Sequence, residues 1–289
     1  MPLEWAGSKP EFDAKAILVY ARAKSGKSRL LASAPEPVLV LDFDDNFPIA
    51  ALPAGTKVAR IVPRNYEETL LIMQKLSASS TGFGVVYEGQ TFNTLGFDTL
   101  TNLYPLILDD VLHLPVDRKI ASLLEGSHGD ATRQKREIPA IQDYGLTGER
   151  LKNLIRKCRQ LPCHFVAIAH EELYTFKPPG GSEGKVQADL AVKAGISLTE
   201  KLNERIPGLF NLYLRIKVSN PASESPRPEH YQIWTVQSDY FYPAGDATGL
   251  LAPQESPDLA AIIKKAGGFI PGEVNTLPDG SLTQKVSDR

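Results

Sequence analysis

The unbroken run over residues 38–42 predicts a buried parallel strand. Mainly apolar runs that predict strands recur along the chain. They span residues 16–20, 38–42, 58–62 and 164–169. Residues 66–78, between the third and fourth of these runs, place apolar side chains at helical spacing. Because strands that alternate with helices favour a parallel sheet with helices on its faces, the pattern predicts an α/β fold.

The later part of the chain has a different pattern. Residues 211–219 and 230–237 alternate apolar and polar positions, and the Pro- and Ser-rich stretch between them predicts a β-hairpin with a long loop. Residues 147–160 predict a helix with one basic face, and residues 257–266 predict a short helix. Residues 83–98 have a weaker apolar character, with a short strand over 85–87 and an apolar segment that leads to Asp98.

Proline and glycine divide the chain into a main domain and polar segments. We expect one domain over residues 14–270, preceded by a lead-in over 1–13 and followed by a flexible tail over 271–289. Within the domain, residues 113–146 and 173–187 are polar and turn-rich, and we expect mobile loops there. The first loop carries a basic cluster, which is either a solvated surface or a contact for DNA: Arg133, Lys135 and Arg136.

Composition narrows the classes of function. The chain has 289 residues with 42% apolar and 23% charged residues, which suits one α/β domain with insertions. Its net charge of −2 gives no global basic signature for nucleic acid, so DNA binding would need a local patch. No apolar run approaches the length of a membrane span, and no signal region opens the chain, so we expect a cytoplasmic protein without membrane contact. Cys158 and Cys163 match no zinc pattern and are expected to be ordinary thiols in a reducing compartment.

The stretch Ala21–Ser28 follows the first predicted strand and opens a segment that can be helical. It ends in Gly-Lys-Ser and matches a phosphate-binding P-loop except at its first position, where Ala21 stands in place of glycine. Backbone N–H groups and the positive end of a helix would bind a triphosphate there. The expected nucleotide-binding residues are Ala21, Arg22, Ala23, Lys24, Ser25, Gly26, Lys27, Ser28 and Arg29. Lys27 would contact the β- and γ-phosphates of ATP, and the Ser28 hydroxyl would ligate Mg²⁺.

Hydrolysis of ATP also needs carboxylates and a polar group near the γ-phosphate, at the carboxyl ends of neighbouring strands. Asp98 ends an apolar segment and is the candidate that holds Mg²⁺. Asp44 lies just past the strand that ends at Asp42, and it is the candidate that activates water, with Asp42 as a further candidate metal carboxylate. His170 follows the strand over 165–169 and is the candidate sensor of the γ-phosphate.

Each of these residues also has a structural interpretation. Asp98 could cap a helix, Asp44 could be a turn residue, and His170 could be a hydrogen-bonded core histidine. The sequence alone leaves these alternatives open.

Taken together, the chain resembles the phage-encoded RecA-like ATPases of the AAA-type phage nucleotide-binding family, which include single-strand annealing recombination proteins. The resemblance covers roughly residues 15–265. It rests on the order and spacing of several stretches, which are 21–28, 38–45, 97–103, 165–171, 143–145 and 205–210.

The resemblance implies a RecA-like P-loop NTPase core with a mostly parallel central sheet flanked by helices and a C-terminal β-hairpin. It implies an ATPase with catalytic residues Lys27, Asp44, Asp98 and His170 that acts on single-stranded DNA in phage recombination or replication. It further implies self-association into a ring or filament and contact with a single-strand-binding protein. The loops 113–146 and 173–187 would face the DNA, with aromatic side chains such as Tyr174 and Phe176 stacking on bases.

The sequence departs from the family in two places. Ala21 replaces the first glycine of the P-loop, and the stretch 241–246 lacks the basic residues that reach a neighbour's ATP in that family. Two other functions therefore stay open. One is a P-loop ATPase that loads a helicase or assists packaging, and the other is a nucleotide-gated binding module with little turnover.

Overall fold

The structure is a computed structural model that describes residues 13–112, 139–176, 191–218, 231–237 and 243–272. It contains a central sheet with helices on both faces and a small separate sheet. The helices in the described ranges are α1 (Lys27–Ala32), α2 (Tyr66–Lys75), α3 (Leu100–Leu112), α4 (Ile141–Arg159), α5 (Glu200–Arg205) and α6 (Leu259–Lys265). Short 3₁₀ turns cover Ile49–Ala51 and Pro207–Leu209.

The strands follow the predicted alternation. Those in the central sheet are β1 (Ala16–Ala21), β2 (Val38–Asp42), β3 (Val58–Ile61), β7 (Thr94–Asp98), β8 (His164–Phe176), β9 (Ala191–Ile196), β10 (Leu212–Val218), β11 (Tyr231–Trp234), β12 (Gly245–Asp246) and β13 (Gln254–Glu255). The small sheet consists of β4 (Ser77–Ala78), β5 (Val85–Tyr87) and β6 (Gln90–Phe92).

The central sheet is mostly parallel. Its strand order is β13-β11-β10-β1-β8-β7-β2-β3, and all neighbours from β10 to β3 run in the same direction. Strand β11 pairs antiparallel with β10, which forms the predicted C-terminal hairpin, while β12 and β13 add short antiparallel edges. The predicted α/β class with a mostly parallel central sheet is therefore confirmed.

Both faces of the sheet are covered, as continuous apolar strands require. One face packs its apolar side chains, including Leu18, Leu39 and Phe97, against α2, α3 and α4. The other face packs Ile17, Val40 and Val166 against α1 and α6. The strands β1 and β2 are buried along their whole length, which is why they read as unbroken apolar runs.

The prediction that a loop covers residues 173–187 is wrong for its first part, because residues 173–176 belong to strand β8. The strand does not stop after Ala169 but continues to Phe176, because from Glu171 onwards its backbone pairs antiparallel with β9. Residues 171–176 and 191–196 therefore form a two-stranded ribbon that leaves the parallel sheet. Residues 177–187 of the predicted loop lie outside the described residues.

Helix α4 corrects the extent of the predicted insertion over 113–146. The helix begins at Ile141 rather than at residue 147, because Asp143 Oδ2 accepts a 2.8 Å hydrogen bond from the Ala140 N–H and closes the first turn. The basic cluster at 133–136, and residues 113–138 as a whole, lie outside the described residues.

Smaller corrections concern boundaries. Helix α2 ends at Lys75, and residues 77–78 belong to the small sheet. The ambiguous segment over 83–98 divides between the two sheets, with 85–87 in the small sheet and 94–98 in the central one. Nearly all of the predicted lead-in and tail, residues 1–12 and 273–289, also lie outside the described residues.

Candidate nucleotide site

The predicted site residues meet at the carboxyl edge of the central sheet. The last residue of β2, Asp42, is the register partner of Asp98 at the end of β7. The last residue of β1, Ala21, is the partner of His170 in β8. Parallel register thus brings the P-loop, the two carboxylates and the histidine to one edge, where ligands bind in open α/β sheets.

The loop between β1 and α1 turns through two residues in left-handed backbone conformations. Lys24 and Gly26 both adopt positive φ angles, of 58° and 80°, before α1 begins at Lys27. The positive φ of Gly26 favours glycine there, and a Cβ atom at this position would also make a tight contact, 3.3 Å from the ring of Tyr231 in β11. In the same loop Ser25 is only 5% exposed, and its hydroxyl has no hydrogen-bond partner among the described residues.

Lys27 folds back onto its own loop. Its Nζ donates to the carbonyl oxygens of Ala21 at 3.2 Å and Arg22 at 2.7 Å. Burial lowers the pKa of Lys27 to about 8, although the charges of Asp98, Glu171 and Asp44 favour the ammonium form. A buried ammonium held by two neutral carbonyls is well suited to exchange them for anionic phosphate oxygens.

Ser28 and Asp98 form the most direct contact in the site. The Ser28 Oγ donates a 2.6 Å hydrogen bond to Asp98 Oδ2, which joins the first turn of α1 to the end of β7. Burial raises the pKa of Asp98 to about 6, with further contributions from the charges of Asp44 and Asp42, while the bond from Ser28 opposes the rise. A hydroxyl and a carboxylate are the oxygen ligands that Mg²⁺ takes beside phosphates.

Asp42 is held by β3. Its side chain is fully buried, and its Oδ2 accepts hydrogen bonds from Arg60 Nε at 2.7 Å and from the Phe47 N–H at 2.9 Å. Burial alone would raise the pKa of Asp42, but these bonds and one from Asp44 lower it below its usual value. Arg60 and Phe47 both donate hydrogen bonds to Oδ2 of Asp42. A direct contact between Asp42 and a metal ion stays a prediction.

Asp44 sits on a loop that Asp42 and Arg60 organise. The Asp44 N–H donates to Asp42 Oδ1 at 3.3 Å, and Arg60 also pairs with Asp45, which adopts a positive φ of 57°. Asp44 itself is half-buried and close enough to influence both Lys27 and Asp98. Burial raises the pKa of Asp44, and so do its hydrogen bond to Asp42 and the charge of that carboxylate.

His170 lies across from the P-loop in the β1–β8 register. Its backbone N–H donates to Thr101 Oγ1 at 3.0 Å, and its carbonyl accepts from the Ser197 N–H at 2.7 Å. Burial lowers the pKa of His170, and the nearby charge of Lys27 lowers it further. His170 is therefore close enough to Lys27 to be influenced by its charge, and its role as a sensor stays a prediction.

Sequence reasoning missed two charged residues of the site. The Glu171 side chain is buried and accepts hydrogen bonds from Arg215 in β10, and it also contacts Arg22 of the P-loop. Arg60 in β3 organises the loop that carries Asp44. A charged residue inside an otherwise apolar strand is a signal for Arg60, because an unpaired charge there would be costly, whereas Glu171 stands in a polar stretch that gives no such signal.

The remaining P-loop residues lie at the surface. Ala23, Lys24 and Arg29 are exposed, so their backbone rather than a buried side-chain contact fixes their place.

Within the described ranges, no three His, Cys, Asp or Glu side chains come together as a preformed metal site. The residues nevertheless fit a magnesium–nucleotide complex, because Ser28 and Asp98 supply oxygen ligands and Lys27 supplies the counter-charge for phosphates.

The fold and the site together define the class of the protein. It is an α/β protein in which a P-loop lies beside two carboxylates at the ends of neighbouring strands. Residues 13–246 match the family described as AAA domain (AAA_24), and the chain belongs to that family. A search of curated proteins finds no match.

Two solved structures are similar to the chain. The RadB recombinase is 14% identical, with a TM-score of 0.34, 81% of this chain covered and 86% of that one. The second structure is an ATPase domain that is 9% identical, with a TM-score of 0.38, 90% of this chain covered and 85% of that one. No helix in the described part of the chain has the length and apolar character that crossing a bilayer demands.

Proposed function

We propose that the protein is a RecA-like P-loop ATPase that binds ATP with Mg²⁺ and acts on single-stranded DNA. The observation that carries the nucleotide part is the bond of Ser28 to Asp98 beside Lys27, whose ammonium rests on two backbone carbonyls. Membership of the AAA domain family supports the same function.

The residues would divide the work as follows. The backbone N–H groups from Ala21 to Arg29 and the Lys27 ammonium hold the phosphates, and Ser28 and Asp98 hold Mg²⁺, which would neutralise the charge on the phosphates. Asp44 orients and deprotonates the attacking water, and the neutral His170 senses the γ-phosphate. Arg60 keeps the Asp44 loop in place through Asp42 and Asp45.

The resemblance to the family supports the DNA part of the proposal. In this proposal single-stranded DNA binds to the segments that follow α3 and β8, within residues 113–146 and 173–187. Self-association and a single-strand-binding protein as partner belong to the same proposal. The Tyr174 hydroxyl lies within hydrogen-bond distance of the carbonyl oxygens of Ile196 at 2.8 Å and Leu198 at 2.9 Å and braces the ribbon, while stacking of its ring on a base stays a prediction. Binding through phosphates should weaken strongly as the salt concentration rises.

The test is the rate of ATP hydrolysis with and without single-stranded DNA. Lys27→Ala serves as the blank and Lys75→Ala, an exposed lysine at the end of α2, as the matched control. We expect turnover that Lys27→Ala abolishes, that Lys75→Ala retains, and that DNA stimulates several-fold. Turnover without DNA stimulation would instead favour the helicase-loading or packaging function.

A second candidate is a nucleotide-gated binding module with little turnover. It is favoured by Ala21 at the first P-loop position and by the absence of lysine and arginine from residues 241–246 of the sequence. Nucleotide that binds without being hydrolysed, with binding lost in Lys27→Ala, would decide for this second function.

A further inference from the structure

A buried carboxylate lies beside the P-loop and has no part in the roles assigned above. The Glu171 side chain is 1% exposed, and both of its oxygens accept hydrogen bonds from Arg215, Oε2 from Nε at 2.8 Å and Oε1 from Nη2 at 3.3 Å. Arg22 places its Nε 3.4 Å from Oε1 of the same carboxylate. One glutamate thus connects β8, β10 and the P-loop.

The two arginines are held very differently. Arg215 projects from a strand of the sheet, where it is the register partner of Tyr20, and its side chain is 12% exposed. Arg22 is 71% exposed and makes the longer contact. Because exposed ion pairs are weak and buried bidentate pairs are geometrically fixed, Glu171 holds Arg215 firmly and Arg22 loosely.

Arg22 is also bonded to the phosphate-binding lysine. Its carbonyl oxygen accepts the 2.7 Å hydrogen bond from Lys27 Nζ. Phosphate oxygens in the P-loop would attract the Arg22 guanidinium, which suits bidentate contact with phosphate. The guanidinium must then exchange its contact with Glu171 for a contact with phosphate.

We propose that Glu171 is a positioning residue that competes with bound phosphate for Arg22, and that Arg215 sets the strength of this competition by neutralising Glu171. The proposal rests on the proposed binding of nucleotide to the P-loop. Glu171 acts on the nucleotide through Arg22, and Arg215 acts through Glu171.

Variants that neutralise one charge at a time test the proposal, because it predicts that Glu171→Gln and Arg215→Gln change the dissociation constant of Mg·ADP in opposite directions. Glu171→Gln removes the competitor, so the dissociation constant of Mg·ADP should fall about three- to tenfold. Arg215→Gln leaves the carboxylate without its main counter-charge, so the constant should rise about tenfold. Because Arg215 acts through Glu171, the double variant should bind Mg·ADP to within about twofold as tightly as Glu171→Gln. Isothermal titration calorimetry with Mg·ADP measures all three, and the differences should shrink at high salt.

A second cycle locates the effect at Arg22. Arg22→Gln should weaken Mg·ADP binding in the original chain, and should weaken it more in the Glu171→Gln background, where the guanidinium is free to serve the phosphates. Glu172→Gln is the matched control, because this neighbouring carboxylate is exposed and bonds to Ser197 Oγ instead. It should leave the dissociation constant unchanged.

Each outcome decides. Equal affinity of Glu171→Gln and the original chain would overturn the proposal, as would a double variant as weak as Arg215→Gln, which would make the pair purely structural. Should Arg215→Gln fail to fold, the cycle of Arg22→Gln with Glu171→Gln decides alone, and additive effects would overturn the proposal. Failure of the original chain to bind Mg·ADP more tightly than Lys27→Ala would refute the proposed function instead.

Discussion

Ser28 and Asp98 share a 2.6 Å hydrogen bond, which joins the first turn of the helix after the P-loop to the end of strand β7. A carboxylate and a hydroxyl are both ligands for Mg²⁺, so Asp98 and Ser28 would hold the ion through these two oxygens, and the ion would supply positive charge beside the phosphates.

Ser28→Ala should therefore remove the magnesium dependence of nucleotide binding. In the original chain Mg²⁺ should tighten ATP binding about tenfold or more, and in Ser28→Ala this gain should largely vanish, while binding in EDTA stays unchanged. Since burial raises the pKa of Asp98 to about 6, the magnesium-dependent gain in the original chain should also decline as the pH falls below 6. A full magnesium effect in Ser28→Ala would contradict the assigned ligand.

Asp44→Asn should separate binding from turnover. Because the amide cannot accept a proton from water, kcat should fall about 10²-fold or more, with little change in the affinity for ATP. The matched control is Glu67→Gln, which neutralises an exposed carboxylate in the first turn of α2 and should keep the turnover. Single-turnover hydrolysis measures both variants, and turnover that survives in Asp44→Asn would show that another group activates the water.

Gly96→Ala should destabilise the fold without touching the site. A Cβ atom at Gly96 in β7 would lie 2.8 Å from both Cδ atoms of Leu31 in α1, and Leu31 is fully buried. Such overpacking costs about 1–3 kcal/mol of unfolding free energy, measured by urea denaturation. In a Leu31→Ala background the same change should cost clearly less, since the obstructing methyl groups are gone. Equal costs in both backgrounds would mean that the strain lies elsewhere.

His164 should make the protein less stable in mild acid. Its Nδ1 accepts the Lys15 N–H at 3.0 Å and its Nε2 donates to the Phe269 carbonyl at 2.7 Å, which fits a neutral ring. Burial lowers its pKa from 6.5 to about 4, against the opposing effect of the Phe269 bond. Between pH 6.5 and 4 the unfolded chain therefore binds a proton at His164 that the folded chain does not bind. The contribution of His164 to the free energy of unfolding is complete above pH 6.5 and falls by about 3 kcal/mol as the pH drops to 4.

The comparison that isolates this effect is with His164→Asn, which keeps polar atoms but cannot titrate near pH 5. Urea denaturation between pH 7 and 4 should show a difference in stability between the two proteins that narrows as the pH falls. A constant difference across that range would mean that His164 is already protonated in the folded state or that it does not titrate at all.

The parallel core could be predicted from the sequence because burial on both faces restricts which residues its strands can contain. Strands such as Val38–Asp42 are buried on both faces, so every position must be apolar until the chain reaches the edge with Asp42. The same reasoning located Lys27, Asp98 and His170 at one edge, as the register confirms. Their catalytic roles stay predictions.

Periodicity could not reveal where β8 ends. After Ala169 the strand leaves the buried layer, and its polar residues resemble a loop although their backbone is paired with β9. The role of Glu171 was hidden for a related reason, because its partners Arg215 and Arg22 are distant in sequence or lie in a loop. Long-range ion pairs leave no periodic trace in a single sequence.

Strand β8 has one further consequence for how the molecule could transmit force. Its first half is fixed between β1 and β7, while residues 171–176 extend beyond the sheet for about 20 Å at the usual rise of a strand. A rotation of only about 10° at His170 would therefore displace the far end of the ribbon by about 3–4 Å. His170 lies opposite the P-loop at the start of this ribbon, so a proline within residues 171–176 would interrupt the pairing with β9 while leaving the register of β8 with β1 intact.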